Sequence, residues 1–340
     1  MLDRPTLSPA GFHRRIPLRP DQMTAAVTPA ADVIVLCHLG VPLLTAPDWS
    51  LTIDGLVARP MTLSFADLQR YPITRVESVH QCAGIPLQPR QATRRISNVV
   101  WGGVRLADVL RDANPGDDAK YLWSTGADWG TFEGVEVGAY EKDLPLPRAL
   151  ADDVLLAFAM NGAPLTAENG FPVRLVVPGY FGTNSVKWLT RMTLADRRAD
   201  GPFVTRWYND PVLDAAGSET GKTRPVWSLH PEAVIVAPAP ASQVQAGMPT
   251  TIWGWAWGDG EIATVEVRIG ADAPWRVALC EPRRQRSWQR FSIDWTPQHT
   301  GPLELAARAT SYDGETQPES NWRNCWHRVG VVSGAWSLPS

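Results

Sequence analysis

Beyond residue 250 the chain settles into short stretches that alternate apolar and polar residues: TIWGWAW (251–257), TVEVRIG (264–270), WQRFSIDW (288–295) and LELAARAT (303–310). Successive side chains of a strand point to opposite faces, so a period of two gives each strand one face to bury. Strands of this kind, separated by turn residues over about 90 positions, predict a β-sandwich. The preceding HPEAVIVAPAPASQVQAG (230–247) combines proline, alanine and glycine and reads as a domain boundary. Ten of the 16 tryptophans lie beyond residue 225. Trp253, Trp255 and Trp257 are expected to form one sheet face of bulky aromatics rather than a sugar-binding platform, and such a face also suits a homodimer interface.

The earlier part of the chain has a different pattern. Residues 1–48 are rich in proline and polar residues and read as an arm, with one strand candidate at 33–37 leading into His38. Leu51 to Gly55 alternates as a strand does, and Ser64-Phe65-Ala66-Asp67-Leu68 opens like a short capped helix. LADVLRDA places Leu106, Val109, Leu110 and Ala113 at helical spacing, and Asn114-Pro115-Gly116 closes it. Further strands are expected at 121–125, 153–160 and 171–179. The fold class expected is α+β, a mixed domain over 49–230 followed by the all-β sandwich over 231–340.

With 340 residues, 44% hydrophobic and 20% charged, the chain is globular and long enough for two domains. A net charge of -3 gives no reason to expect nucleic acid or an anionic membrane surface as partner, so an anionic ligand would need a local cluster of Arg and Lys. No apolar run approaches the ~20 residues of a membrane span. Arg14-Arg15 is followed by Arg19, Asp21 and three prolines instead of an apolar core, so the chain as it stands is expected to be cytoplasmic, or periplasmic if an export signal was removed.

The four cysteines, Cys37, Cys82, Cys280 and Cys325, are far apart and form neither CxxC nor CxxCH, so neither a zinc knuckle nor an attached haem is indicated. Cys82 stands out in SVHQCAGIP (78–86), where Ala83 and Gly84 carry almost no side chain and Pro86 breaks regular structure. A buried structural thiol, half of a disulfide, a nucleophile paired with His80 and a soft metal ligand all fit that context. No Gly-x-Ser-x-Gly elbow, P-loop or GxGxxG after a strand is present.

Cys82-Ala83-Gly84 resembles the Cys-Ala-Gly-Asn segment of the sulfite oxidase family of molybdenum enzymes. Other segments recur in that family's order: Val100-Trp101-Gly102-Gly103-Val104-Arg105-Leu106, Asp153 to Ala157 with Met160-Asn161-Gly162, Gly170 to Gly179 and Ser185-Val186-Lys187-Trp188-Leu189. The tryptophan-rich tail resembles the family's immunoglobulin-like dimerisation domain. The resemblance implies a molybdenum-pterin oxidoreductase with one pterin and no haem in this chain, Cys82 being the metal ligand. Arg174, Lys187, Ser185, His38 and Asp128 fall at positions similar to the family's cofactor-binding residues, and Tyr208 at that of its active-site tyrosine. The partners implied are a small oxo substrate, a second copy of the chain and an external redox protein such as a cytochrome. A sulfoxide-type reductase with the same cofactor, or a metal-free dimeric scaffold, are the alternative functions.

The departures from the pattern concern charge. Where the family carries a substrate-binding arginine this chain has Leu36, followed by Cys37 in place of asparagine, and Ile85 replaces the asparagine after Cys-Ala-Gly. Asn169 and Asn184 stand where the family has histidine and arginine, and Arg323 is the candidate for a second substrate arginine. Arg206 reads as a solvated surface residue. Fewer fixed positive charges predict weaker binding of a small dianion, which sets sulfite itself in doubt more than the molybdenum site.

Overall fold

The computed structural model describes residues 6–8, 18–84, 95–214, 217–321 and 323–334. Arg14, Arg15 and Ile85 lie outside the described residues. By its internal contacts the chain divides into two units. The first contains Val33–Val76 and Val99–Trp227; the second contains the described parts of Pro17–Asp32, Glu77–Asn98 and Ser228–Ser340. The mixed domain expected over 49–230 is therefore interrupted, because the segment that carries Cys82 is grouped with the C-terminal strands.

In the first unit a five-stranded sheet has the order Glu141–Pro145, Tyr121–Gly126, Leu189–Ala195, Ser50–Gly55, Met61–Ser64. Only the Leu189–Ala195 and Ser50–Gly55 pair is parallel. Leu155–Met160 pairs with the strand Ile96–Arg105 on one side and with Arg174–Val176 on the other. The helix Leu106–Ala113 buries the four residues its spacing selects, and Asn114 caps it in the left-handed region at φ 54, its N–H reaching the Leu110 and Arg111 carbonyls. Ser64 caps Phe65–Leu68 through a reciprocal bond pair with Asp67. Leu51, Ile53, Leu106, Leu110, Leu122, Leu156, Leu189 and Met192 share the core under these elements.

In the second unit a four-stranded and a five-stranded sheet bury Ile252, Ala256, Val265, Phe291, Leu305, Ala307 and Val329 in one core. The opposite face of Thr250–Trp257 carries the tryptophans. Trp255 stacks on Trp288 at 4.9 Å and its indole N–H donates to the Met23 carbonyl at 2.6 Å, while the Trp257 N–H donates to Gln81 at 2.8 Å. This face is packed by the chain's own segments, as the core reading expects.

The whole is more β-rich than an α+β class suggests: the longest α-helix among the described residues has eight residues, and none is long and apolar enough to cross a membrane. Residues 33–37 do not form a strand. Val33, Ile34 and Val35 are buried consecutively without alternation, Leu36 makes a single β-bridge, and its carbonyl accepts a hydrogen bond from Lys187. The boundary segment contains the strand Glu232–Ala237, which hid its nature because both faces are buried and no period of two results. In 171–179 only Arg174–Val176 is strand.

Candidate cofactor site

Arg174 lies on its short strand with 3% exposure. Its guanidinium donates to the Asn169 carbonyl at 3.1 Å and the Ser185 carbonyl at 3.0 Å, and stacks 4.8 Å over the Trp101 ring. Lys187 Nζ donates to the carbonyls of Leu36 (2.9 Å) and Glu168 (2.8 Å) and to Cys37 Sγ (3.3 Å), and lies 4.0 Å over the Trp188 ring. Ser185 Oγ accepts from the Val177 N–H at 3.0 Å. Gly170, at φ 101, makes the approach of the two cations possible, since a Cβ there would lie 3.1 Å from the Cβ atoms of both Arg174 and Lys187. Burial pushes Arg174 down to about 9 and Lys187 downward, with the Cys37 sulfur opposing both. Among the described residues no carboxylate bonds either cation.

Asp128 is 3% exposed and its Oδ1 has no hydrogen-bond partner among the described residues. Burial pushes its carboxyl up to about 7, against the attraction of Lys187. A carboxyl that holds its proton longer when folded than when unfolded lowers stability as pH rises from its unfolded value toward 7. Cofactor-free Asp128→Asn protein is therefore expected to be more stable than the parent at pH 8, by about 2–4 kcal/mol, with the gap narrowing toward pH 4. Urea titrations at the two pH values measure this.

His38 Nε2 forms a short hydrogen bond with the Tyr208 hydroxyl. The imidazole is boxed by Phe132, Tyr140 and Phe203 at 5.0, 5.2 and 5.1 Å. Burial first, then Lys187 and Lys142, push it down to about 3, so it is neutral at physiological pH. Tyr208 occupies the left-handed region at φ 58, a conformation that costs a non-glycine residue about 1 kcal/mol and is maintained by its surroundings. Lys142, which no sequence signal singles out, lies 1% exposed with Nζ 5.4 Å from the Tyr208 ring centre. Only the folded packing reveals it.

Six predicted residues, His38, Asp128, Arg174, Ser185, Lys187 and Tyr208, belong to the first unit and Cys82 to the second. Cys82 follows the strand Ile73–Gln81, its N–H donating to the Arg95 carbonyl at 2.9 Å. The preceding Gln81 anchors it, donating to Glu232 at 2.9 Å and accepting from Trp257. Cys82 Sγ accepts from the Gly84 N–H at 3.4 Å, and Arg323 donates to the Ala83 carbonyl. Burial raises the thiol; the Gly84 N–H, Arg95 and Arg323 oppose it by favouring the thiolate. All four cysteines are free thiols, which removes the disulfide reading. No group of three or more His, Cys, Asp and Glu side chains that could hold a metal occurs among the described residues.

Two of the departures, Asn184 and Asn169, make internal hydrogen bonds. Asn184 is buried and its amide donates to the Phe181 and Val226 carbonyls, both at 3.0 Å; Asn169 donates to Thr166 Oγ1 at 2.9 Å. Arg206 is exposed beside Trp207, as its solvated reading expects.

The family described as "Oxidoreductase molybdopterin binding domain" matches residues 38–203. Sulfite oxidase of Gallus gallus is 31% identical over 325 residues, covering 88% of this chain and 69% of that protein. The chain belongs to the sulfite oxidase family. Mitochondrial sulfite oxidase of Drosophila melanogaster is 28% identical over 338 residues, which are 91% of this chain and 58% of the fly protein, so the chain spans less than two thirds of that relative. The sulfane dehydrogenase SoxCD from Paracoccus pantotrophus has a similar structure, with TM-score 0.78 and 27% identity over 94% of this chain and 85% of its own. As a member of the sulfite oxidase family the chain is a molybdopterin-dependent oxidoreductase, and its cofactor is molybdenum-molybdopterin.

Proposed function

We propose that the chain transfers an oxo group and two electrons to or from a small sulfur oxo compound. The observation that carries the reading is the buried cluster of Arg174, Lys187 and Asp128: among the described residues the two cations bond only to carbonyls and a sulfur, and one carboxylate oxygen has no partner. Such groups are costly to bury unless a polar, anionic ligand completes them. A pterin phosphate suits the cations and pterin ring nitrogens suit Asp128, so the residues fit the cofactor. In this reading Arg174, Lys187 and Ser185 hold the phosphate end, His38 and Asp128 the pterin, and the Cys82 thiolate ligates the metal. When bound, the molybdenum-pterin group supplies two-electron redox chemistry and oxo transfer.

Neutral His38 fixes the Tyr208 hydroxyl, and Tyr208 offers it as the hydrogen bond to the transferred oxygen. The names of the relatives, sulfite oxidase and sulfane dehydrogenase, support sulfur as the reacting atom. A homodimer formed through the C-terminal sandwich, read as immunoglobulin-like, and an external redox protein such as a cytochrome complete the proposal. A sulfoxide-type reductase is the second reading, favoured by the loss of charge at Leu36 and Asn184.

Purified protein from molybdenum-replete cells is expected to hold about one molybdenum per chain and to reduce cytochrome c with sulfite. Trace molybdenum in folded protein overturns the enzyme reading; turnover with methyl sulfoxides and a reduced dye, without sulfite oxidation, selects the reductase.

A further inference from the structure

Lys142 is the buried cation that the cofactor reading leaves unused. It lies on the strand Glu141–Pro145 at 1% exposure, and among the described residues its ammonium makes one hydrogen bond, to the Phe203 carbonyl at 2.9 Å. The acid next to it is already satisfied: Asp143 accepts from Arg198 at 2.8 and 3.0 Å and from the Ala199 N–H at 3.2 Å. An ammonium with two unspent N–H donors in a dry setting is destabilising, which calls for a compensating use. The Tyr208 ring lies 5.4 Å from its Nζ, and the hydroxyl of that tyrosine is tied to His38. In the sequence, the family's substrate-binding arginine is replaced by Leu36, two positions before that same His38.

We propose that Lys142 is a specificity-determining residue that provides the positive charge for an anionic substrate held at Tyr208, in place of the arginine missing at position 36. The assignment rests on the oxidoreductase reading and narrows it: the substrate is a small oxoanion, not a neutral sulfoxide. A flexible ammonium beside an aromatic wall recognises such an anion as a point charge, without the forked geometry an arginine imposes. Burial pushes Lys142 down to about 7, with Asp143 opposing and Arg198 adding to the depression. An incoming anion restores the charge, so binding takes up a proton and weakens as pH rises through 7. The charged and titratable groups that bear on it are Asp143, which is held by Arg198, Arg198 itself, the Tyr208 ring and neutral His38, which also feels Lys187.

The test uses the molybdenum-loaded full chain and sulfate, which does not titrate in this range, as the calorimetric probe. Lys142→Met is expected to weaken sulfate binding by about tenfold or more, the loss typical of a charged hydrogen bond, and to flatten its pH dependence. Lys142→Arg should stay within about threefold of the parent, since the charge is kept. In turnover, Lys142→Met raises KM for sulfite while kcat changes little, and any sulfoxide kinetics are unchanged. Its melting temperature is unchanged or higher, because a buried charge has been removed; a merely structural lysine predicts a fall. Equal sulfate affinity in the parent and folded, molybdenum-replete Lys142→Met, or no sulfate binding by the parent, overturns the proposal. Absence of all sulfur-oxo turnover by the loaded parent overturns the oxidoreductase reading instead.

Discussion

Cys82→Ser protein is expected to fold, to lose most of its molybdenum and to retain less than about one hundredth of the parent activity, the scale of loss usual when a metal's immediate surroundings are altered. The serine hydroxyl has nearly the shape of the thiol, and the contacts that place it, Gln81 with Glu232 and Trp257, are left intact. What changes is chemistry. A hydroxyl is a hard, poorly ionised ligand where a high-valent molybdenum with sulfur donors prefers a soft thiolate, and the help Arg95 and Arg323 give to the thiolate has no counterpart for an alcohol. Elemental analysis and a far-ultraviolet spectrum on the same sample decide the matter. Parent metal content in folded Cys82→Ser protein rules out the ligand assignment.

Gly103→Ala is expected to have a large effect on stability, with a loss of at least about 3 kcal/mol in urea titration and little soluble protein at 37 °C. A Cβ built at Gly103 would lie 2.1 Å from the Leu156 carbonyl oxygen and 2.7 Å from Ala157 Cα. Both are backbone atoms of the paired strand, where Gly103 faces Ala157, so no rotamer change relieves the clash. Gly102→Ala, whose added Cβ would come only within 3.3 Å of the Ala159 side chain on the same paired strand, is the milder control. Comparable stability of Gly103→Ala and the parent would show that the two strands separate more easily than their packing implies. The Trp-Gly-Gly-Val segment that marks the family is thus, at its second glycine, a packing requirement.

Those residues were legible because each obeys a local rule: a period of 3.6 at Leu106 to Ala113, a cap at Ser64, a period of two in the last strands. The cofactor residues were legible only through resemblance, since no spacing rule links His38, Asp128, Arg174, Lys187 and Tyr208, which tertiary packing brings together. The misread elements share one cause. Val33 to Val35 and Glu232 to Val236 are buried on consecutive residues, so they carry no alternation, and it is the pairing with Thr250–Trp257 that makes Glu232–Ala237 a strand. Lys142 was illegible for a related reason, because a lysine in a strand reads as a solvated side chain until its neighbours are known.

The anchoring of the Cys82 segment has a consequence during synthesis. Gln81 waits for Glu232, 151 residues later, and Trp257, 176 residues later, and the Glu77 amide for Gln285, 208 residues later. At translation speeds of roughly 5–20 residues per second, the thiol leaves the ribosome on the order of ten seconds before these long-range anchors exist. The seat around the proposed metal ligand is therefore complete only when the C-terminal strands have been made. A transcript truncated before residue 228 encodes the arginine and lysine cluster yet yields a cysteine with no seat, open in the meantime to oxidants and to stray soft metals.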